Sequence, residues 1–218
     1  MAVSSPSILA WLKAHPALRP APALRAERLS TGQRPLDALL QGGLPCGAIT
    51  EIVGRASSGR TSLALGAMAA VTAAGALVAW IDPFDTLDPL SAQASGVVLE
   101  QLLWIRPRGA DAVAQALAAT GQVVAAGGFA ALALDVAEGG RRAPLCHLGT
   151  WVRLKHRLER SRTVLLLLSG DARAGAMAAL RLECAWAPEV ARLRVRVTRQ
   201  WHGTPGAEVL LPLAAAVD

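Results

Sequence analysis

A glycine-rich loop between a short apolar run and a helical pattern constrains this chain more than any other feature. Residues 49–62 read ITEIVGRASSGRTS, in which Gly54, Gly59 and Thr61 match the phosphate-binding pattern G-x-x-x-x-G-K-[ST]. In that pattern backbone N–H groups wrap phosphate oxygens, the lysine reaches the outer phosphates and the hydroxyl ligates Mg²⁺. Arg60 replaces the lysine, and its planar guanidinium does not substitute for a compact ammonium. The loop therefore predicts a strand–loop–helix unit, whereas Arg60 counts against phosphate chemistry.

Strand-like and helix-like segments alternate from residue 29 to residue 169, which is typical of a parallel sheet with helices on both faces. The predicted strands are 48–53, 76–81, 101–105, 129–136 and 163–169, and the predicted helices are 60–74, 86–94, 110–119 and 145–160. The leucine-rich run 163–169 fits a strand buried on both faces. After Ser169 the pattern predicts a helical segment, 172–180, and three short strands, 181–187, 191–200 and 207–211. We expect a three-layer α/β core with a mostly parallel sheet and antiparallel C-terminal strands.

The composition of the chain and the positions of its prolines predict the domain organisation and the cellular compartment. Prolines interrupt residues 1–28, which we interpret as an arm or linker, and residues 29–218 as one core domain. The three cysteines are too scattered for a disulfide framework or a metal site, which favours a reducing compartment. No apolar run is long enough to span a bilayer, and no signal peptide pattern opens the chain. We expect a cytoplasmic protein.

The last third of the chain is strongly basic. Residues 141–218 hold 13 Lys and Arg against 6 Asp and Glu, whereas residues 1–140 are near neutral. In the run 192–197 a strand places three arginines on one face and aliphatic side chains on the other. These arginines, together with neighbouring residues, form a candidate partner or DNA surface: Arg192, Arg194, Arg196, Arg199 and Trp201. A solvated face without a partner is the alternative.

Several short motifs beyond the loop resemble the core of RecA recombinases, over roughly residues 29–215. The motifs are Leu29-Ser30-Thr31-Gly32, Leu36-Asp37, Gly42-Gly43-Leu44-Pro45-Cys46-Gly47, Glu51-Ile52-Val53-Gly54, Ser57-Ser58-Gly59-Arg60-Thr61, Ile81-Asp82 and Leu87-Asp88-Pro89. The resemblance implies a RecA-like P-loop fold. It places a degenerate nucleotide site at Gly54, Ser58, Gly59, Arg60, Thr61, Ser62 and Asp135, the last being the aspartate that holds Mg²⁺ in active relatives.

Departures from the RecA pattern imply that catalysis is lost. Phe84 stands where RecA proteins have the glutamate that polarises water, and Gly170 stands where they have the glutamine that senses the γ-phosphate. Together with Arg60, these changes remove three groups that each contribute about 10²-fold or more in rate. We expect no enzyme activity and no cofactor, with ATP and Mg²⁺ bound without turnover as the alternative. For Asp82, Asp85 and Asp88 we expect helix capping and strand-end solvation rather than metal catalysis.

A short, catalytically degenerate RecA homologue is similar to the ImuA proteins, which are grouped with the cell-division inhibitor SulA. That resemblance implies an accessory role in SOS-induced mutagenic translesion DNA synthesis, with RecA and the polymerase-like ImuB as partners. Arg141 and Arg142 occupy the place of RecA's first DNA-binding loop, so single-stranded DNA is a further candidate partner. The alternatives are a slow DNA-stimulated ATPase, a single-stranded-DNA-binding module and a SulA-like inhibitor of cell division.

Overall fold

The computed structural model describes residues 28–137, 148–200 and 205–212. Within these residues the strands are β1 (Arg28–Leu29), β2 (Leu44–Pro45), β3 (Ile49–Val53), β4 (Leu77–Ile81), β5 (Leu102–Ile105), β6 (Phe129–Asp135), β7 (Val164–Ser169), β8 (Ala178–Ala187), β9 (Arg192–Gln200) and β10 (Glu208–Pro212). The helices are α1 (Arg34–Leu39), α2 (Arg60–Ala73), α3 (Pro89–Ala94), α4 (Ala112–Ala126) and α5 (Leu148–Ser161). The predicted arm lies outside the described residues except for Arg28, which pairs with Pro45.

One eight-stranded sheet organises the molecule, with the strand order β10-β9-β8-β3-β7-β6-β4-β5. The pairs from β8 to β5 are parallel, and β9 and β10 are antiparallel. This confirms the predicted fold class. Because the carboxyl ends of parallel strands meet at one edge, the segments that follow β3, β6 and β7 lie close together.

Two apolar layers cover the two faces of the sheet. One layer includes Met68 and Val71 of α2 packed with Trp80, and the other includes Val123 of α4 and Leu158 of α5. Every residue of β7 is buried, which confirms the prediction of a strand covered on both sides. Within the described residues no helix combines the length and apolarity needed to cross a bilayer.

The prediction of a helix over residues 172–180 is wrong. The structure has one 3₁₀ turn at Gly175–Met177, and β8 begins directly at Ala178. Ala178 and Leu180 pair with Ile49 and Thr50 of β3, so their apolar side chains extend the sheet. Pairing with a central strand therefore overrides the helical spacing of alanines in this segment.

Two helices differ in length from their predicted bounds. α3 begins only at Pro89, because the Asp88 carboxylate accepts hydrogen bonds from the backbone N–H groups of Leu90 and Ser91 and so caps the helix there. α4 continues through Gly121 to Ala126. The Arg157 guanidinium of α5 donates to the Gly121 carbonyl at 3.3 Å, so contact with α5 supports the helix beyond residue 119, where the predicted helix ends.

Candidate functional site

The glycine-rich loop joins β3 to α2 at the carboxyl edge of the sheet. The Gly54 N–H donates to the Ser169 carbonyl at 3.1 Å, which ties the start of the loop to the end of β7. Gly59 has a φ of +86°, and a Cβ there would lie 2.7 Å from Cδ1 of Leu193. Backbone conformation and the proximity of β9 therefore both require glycine at this position.

Arg60 is buried and is bound by the loop that precedes it. Its Nη1 donates to the Gly54 carbonyl at 2.7 Å and to the Arg55 carbonyl at 2.6 Å. These contacts hold the guanidinium against the backbone of the loop. In the phosphate-binding pattern, the lysine at this position instead extends toward the phosphates. The contacts would have to break, or the loop would have to rearrange, before the side chain reached a nucleotide.

The buried charge of Arg60 influences the pKa of the nearby Cys184 thiol. Burial raises the pKa of the Cys184 thiol to about 12, while the positive charge of Arg60 acts in the opposite direction and Glu183 adds to the increase. Cys184 is therefore a neutral thiol at physiological pH, packed against the loop: its carbonyl would lie 2.8 Å from a Cβ added at Gly54.

Three hydroxyl groups of the predicted site surround the start of α2. Thr61 is partly buried and Ser62 is exposed, whereas Ser58 is 6% exposed. Ser58 Oγ lies against Gly54 and has no hydrogen-bond partner within the described residues. The loop thus retains the hydroxyl groups that a phosphate or Mg²⁺ site uses.

Asp135 ends β6 on the same edge of the sheet, with β7 between it and β3. It is 4% exposed, and one of its carboxylate oxygens accepts from the Ala137 N–H at 3.0 Å. The structure therefore brings together the loop and the predicted Mg²⁺-binding aspartate.

The segment that follows β4 at this edge holds the position where the RecA pattern has its catalytic glutamate. Phe84, where RecA proteins have the catalytic glutamate, is partly buried in the turn after β4, and the adjacent Asp85 forms ion pairs with Arg106 (3.4 Å) and Arg108 (3.1 Å). Asp82 is fully buried and accepts from the Leu87 N–H at 2.8 Å. Hydrogen bonds from Ser91 lower the pKa of the Asp88 carboxyl, consistent with its capping role. Across the described residues, no group of three or more His, Cys, Asp or Glu is placed to hold a metal ion.

The predicted alternation of residues 192–197 is confirmed. Leu193, Val195 and Val197 are buried, and the opposite side of β9 presents the ladder face, which we define as Arg192, Arg194 and Arg196. Neighbouring glutamates pair with two of these three arginines. Arg194 pairs with Glu189 at 2.8 Å and Arg196 with Glu208 at 3.6 Å, and Glu183 of β8 lies opposite Arg196.

Of the other members of the predicted partner surface, the structure describes only Arg199. Arg199 turns toward the backbone and donates to the carbonyls of Ala178 (2.8 Å) and Ala176 (3.4 Å). Arg141, Arg142 and Trp201 lie outside the described residues. Trp186 of β8 is 43% exposed and lies opposite Leu193, the residue that approaches Gly59.

Sequence reasoning missed Glu51, which is fully buried in β3. Its carboxylate accepts from Arg181 Nε at 2.7 Å, from the Ala174 N–H at 2.9 Å and from the Arg173 N–H. These bonds fix the segment that follows β7. A single acidic residue inside an apolar strand was the available signal, since a buried carboxylate requires partners.

A strand-to-helix loop of this sequence, at the carboxyl edge of a mixed α/β sheet with a buried aspartate beyond the next strand, defines a P-loop protein. The family model described as the RecA N-terminal domain matches residues 18–139. The chain therefore belongs to the RecA family.

Relatives of known identity agree with this assignment over part of their length. RecA of Synechocystis sp. is 48% identical over 84 residues, which cover 38% of this chain and 24% of that protein. RecA of Blastochloris viridis is 44% identical over 114 residues, covering 52% and 32% respectively. The chain thus spans about a quarter to a third of the length of these relatives. The crystal structure of the RadB recombinase superposes with a TM-score of 0.68 at 18% identity, covering 84% of this chain and 94% of that one, which shows the shared fold.

Proposed function

We propose that this chain is a catalytically degenerate RecA-family protein of the ImuA type. It acts as an accessory or adaptor protein in SOS-induced mutagenic translesion DNA synthesis and docks on RecA, on the polymerase-like ImuB, or on both. The process comes from the resemblance to the ImuA proteins. The support from the structure concerns the contacts of Arg60, the residues that follow β4 and the character of the exposed surfaces.

The contacts of Arg60 carry the proposal. Phosphoryl transfer depends on cations placed over the outer phosphates, and here the cation of the loop binds two carbonyls of the loop itself. Hydrogen bonds of a charged group contribute about 1.5–3 kcal/mol each. A nucleotide that drew Arg60 away would have to offset both bonds, which favours a protein that does not use ATP.

The replacement of the catalytic glutamate by Phe84 adds to this support. Asp85, the nearest carboxylate in sequence, is bound by Arg106 and Arg108. Using it as a base would require breaking both ion pairs. The position of Asp85 therefore does not support the ATPase alternative.

The ladder face favours a protein partner over DNA. Nucleic-acid surfaces have a large excess of positive charge over negative charge. The three arginines of the ladder face instead lie among three glutamates, Glu183, Glu189 and Glu208. A surface of mixed sign suits a partner protein that presents charges in a complementary pattern.

The decisive experiment is a pull-down with purified RecA and purified ImuB, each offered separately and together. We expect the wild-type chain to capture at least one of them. The Arg192→Glu/Arg196→Glu variant should capture about tenfold less, since like charges then face the partner's complementary groups. Arg34→Glu/Arg108→Glu, which reverses two exposed charges elsewhere, is the matched control. Failure of the wild-type chain to capture either protein would contradict the adaptor function.

A further inference from the structure

A cleft of about 380 Å³ opens at the amino end of β3, at the opposite end of that strand from the glycine-rich loop. Residues 46–49, which lead into β3, form part of its wall. Arg28 of β1 borders it, as do Lys155, Glu159 and Arg162 in and after the last turns of α5. Its volume lies within the range of about 300–1,000 Å³ found for ligand pockets.

The side chains that line this cleft carry an excess of positive charge. Arg28, Lys155 and Arg162 contribute three cations, and Glu159 is the carboxylate among the described lining residues. That carboxylate is already engaged: it accepts a hydrogen bond from Lys155 and lies 3.2 Å from His156 Nδ1, and these contacts lower its pKa. The charge of the cleft is therefore complementary to an anionic group.

The same cleft has an apolar floor. Its partly exposed apolar side chains are Pro45 and Met177, the latter an adaptable thioether, and the buried core residues Ile49 and Leu180 lie behind them. Its described lining includes no aromatic ring on which a nucleic-acid base would stack. The cationic rim of the cleft is complementary in charge to carboxylates, and its apolar floor suits an aliphatic side chain. A peptide that bears both groups would therefore fit the cleft.

We propose that this cleft binds an acidic segment of a partner protein, with an aliphatic side chain of the segment on Pro45 and Met177 and its carboxylates at Arg28 and Arg162. The proposal extends the adaptor function by giving it a second docking position, away from the ladder face. It does not depend on RecA or ImuB as the source of the segment.

Cys46 supplies a reporter within the cleft. Burial raises the pKa of its thiol, and the positive charges of Arg162 and Arg28 act in the opposite direction, which places both guanidinium groups near the sulfur. Cys46 is partly exposed, whereas Cys184 is buried. In a Cys146→Ser background, alkylation of Cys46 by a maleimide therefore reports whether the cleft is occupied.

The test uses the full chain and a fluorescein-labelled ten-residue peptide that alternates leucine with aspartate or glutamate. We expect anisotropy to show saturable binding, and a saturating concentration of peptide to slow alkylation of Cys46 about fivefold or more. Arg28→Gln/Arg162→Gln should weaken binding about tenfold, whereas Arg28→Lys/Arg162→Lys, which retains the charge, should keep most of it. Arg34→Gln/Arg108→Gln removes the same net charge outside the cleft and should bind like the wild-type chain.

The competing outcomes separate the possible ligands. No binding of the acidic peptide, or equal binding by a peptide with lysine in place of the acidic residues, would overturn the proposal. Protection of Cys46 by a 15-nucleotide oligothymidine and not by the peptide would also overturn it and assign the cleft to nucleic acid. Thermal unfolding of each variant shows whether a loss of binding reflects a loss of folding. Because the peptide is tested alone, its failure leaves the pull-down result unaffected.

Discussion

Charged side chains are used in opposite ways in two regions of this molecule. At the loop edge, which we define as residues 54–60 and 170–177 with Glu51 beneath them, the charged side chains of Arg60 and Glu51 are buried and bind mainly to the backbone. On the ladder face they are largely exposed and bind to one another. Arg60 at the loop edge therefore stabilises the conformation of the loop. The arginines of the ladder face form exposed ion pairs, so that surface tolerates their substitution. Substitutions in the two regions should differ accordingly in magnitude.

The largest expected effect follows the removal of Glu51. Glu51→Ala leaves Arg181 and two backbone N–H groups without their shared acceptor, so we expect a loss of about 3–5 kcal/mol in the free energy of unfolding. Urea denaturation measures it. The matched control is Glu208→Ala, which removes an exposed partner of Arg196 and should cost under about 1 kcal/mol. Equal losses in the two variants would remove the distinction between the regions.

Gly59→Ala should have the next largest effect. The added Cβ meets Leu193 and also adopts a positive φ, so we expect a loss of about 1–3 kcal/mol in unfolding free energy. Gly75→Ala is the control, because Gly75 has a similar φ of +78° with no atom within 4 Å of the new Cβ. The difference between the two variants measures the contact between the loop and β9. If Gly75→Ala is equally destabilised, that contact contributes nothing.

Arg60→Lys tests whether the arginine keeps nucleotide out. A lysine restores the phosphate-binding pattern and removes the guanidinium nitrogen Nη1 that donates to the Gly54 and Arg55 carbonyls. In calorimetry with Mg²⁺ and ATP at up to about 1 mM, we expect no binding heat for the wild-type chain. For the variant we expect a Kd at least about tenfold below that concentration, a difference of about 1.4 kcal/mol. Phosphate release by the wild-type chain above the level of a Thr61→Ala variant would contradict the lack of catalysis.

The smallest expected effect on stability is on the ladder face. Arg194→Ala and Arg196→Ala each remove one exposed ion pair, so each should change the free energy of unfolding by about 0.2–1 kcal/mol. Chemical denaturation at low and at high salt measures it, and the difference from the wild-type chain should shrink in high salt. A loss above about 2 kcal/mol would mean that the ladder arginines, like Glu51, form ion pairs that the fold depends on.

The parts of the structure that could be predicted follow from local periodicity. The alternation of polar and apolar residues along β9 correctly predicted which of its faces is buried, and the leucine run of β7 correctly predicted burial of both faces. These predictions succeed because the spacing of apolar residues in a strand depends on which of its sides are buried. The glycine-rich loop correctly predicted the strand before it and the helix after it, because this loop pattern occurs between a strand and a helix. Each of these signals lies within a few residues of the structure that it specifies.

The parts that could not be predicted depend on contacts between distant segments. The partners of Glu51 are more than 120 residues away, and the helix predicted at 172–180 is replaced by pairing with β3. At the candidate site, the sequence indicates that Arg60 replaces lysine, but not that its guanidinium turns back to the Gly54 carbonyl. Nor does it indicate that Glu189 and Glu208 reach the ladder arginines.

The contact between Leu193 and Gly59 also has a spectroscopic consequence. Leu193 lies between Arg192 and Arg194 in β9, so one strand separates the ladder face from the start of α2. Trp186 is partly exposed and lies opposite Leu193, so its side chain is on the face of the sheet that Leu193 occupies and not on the ladder face. Its indole emission should therefore respond to a ligand in the loop through the contact of Leu193 with Gly59. A protein bound on the outward arginines should leave the ring exposed, so quenching of Trp186 by iodide should change little when that partner binds.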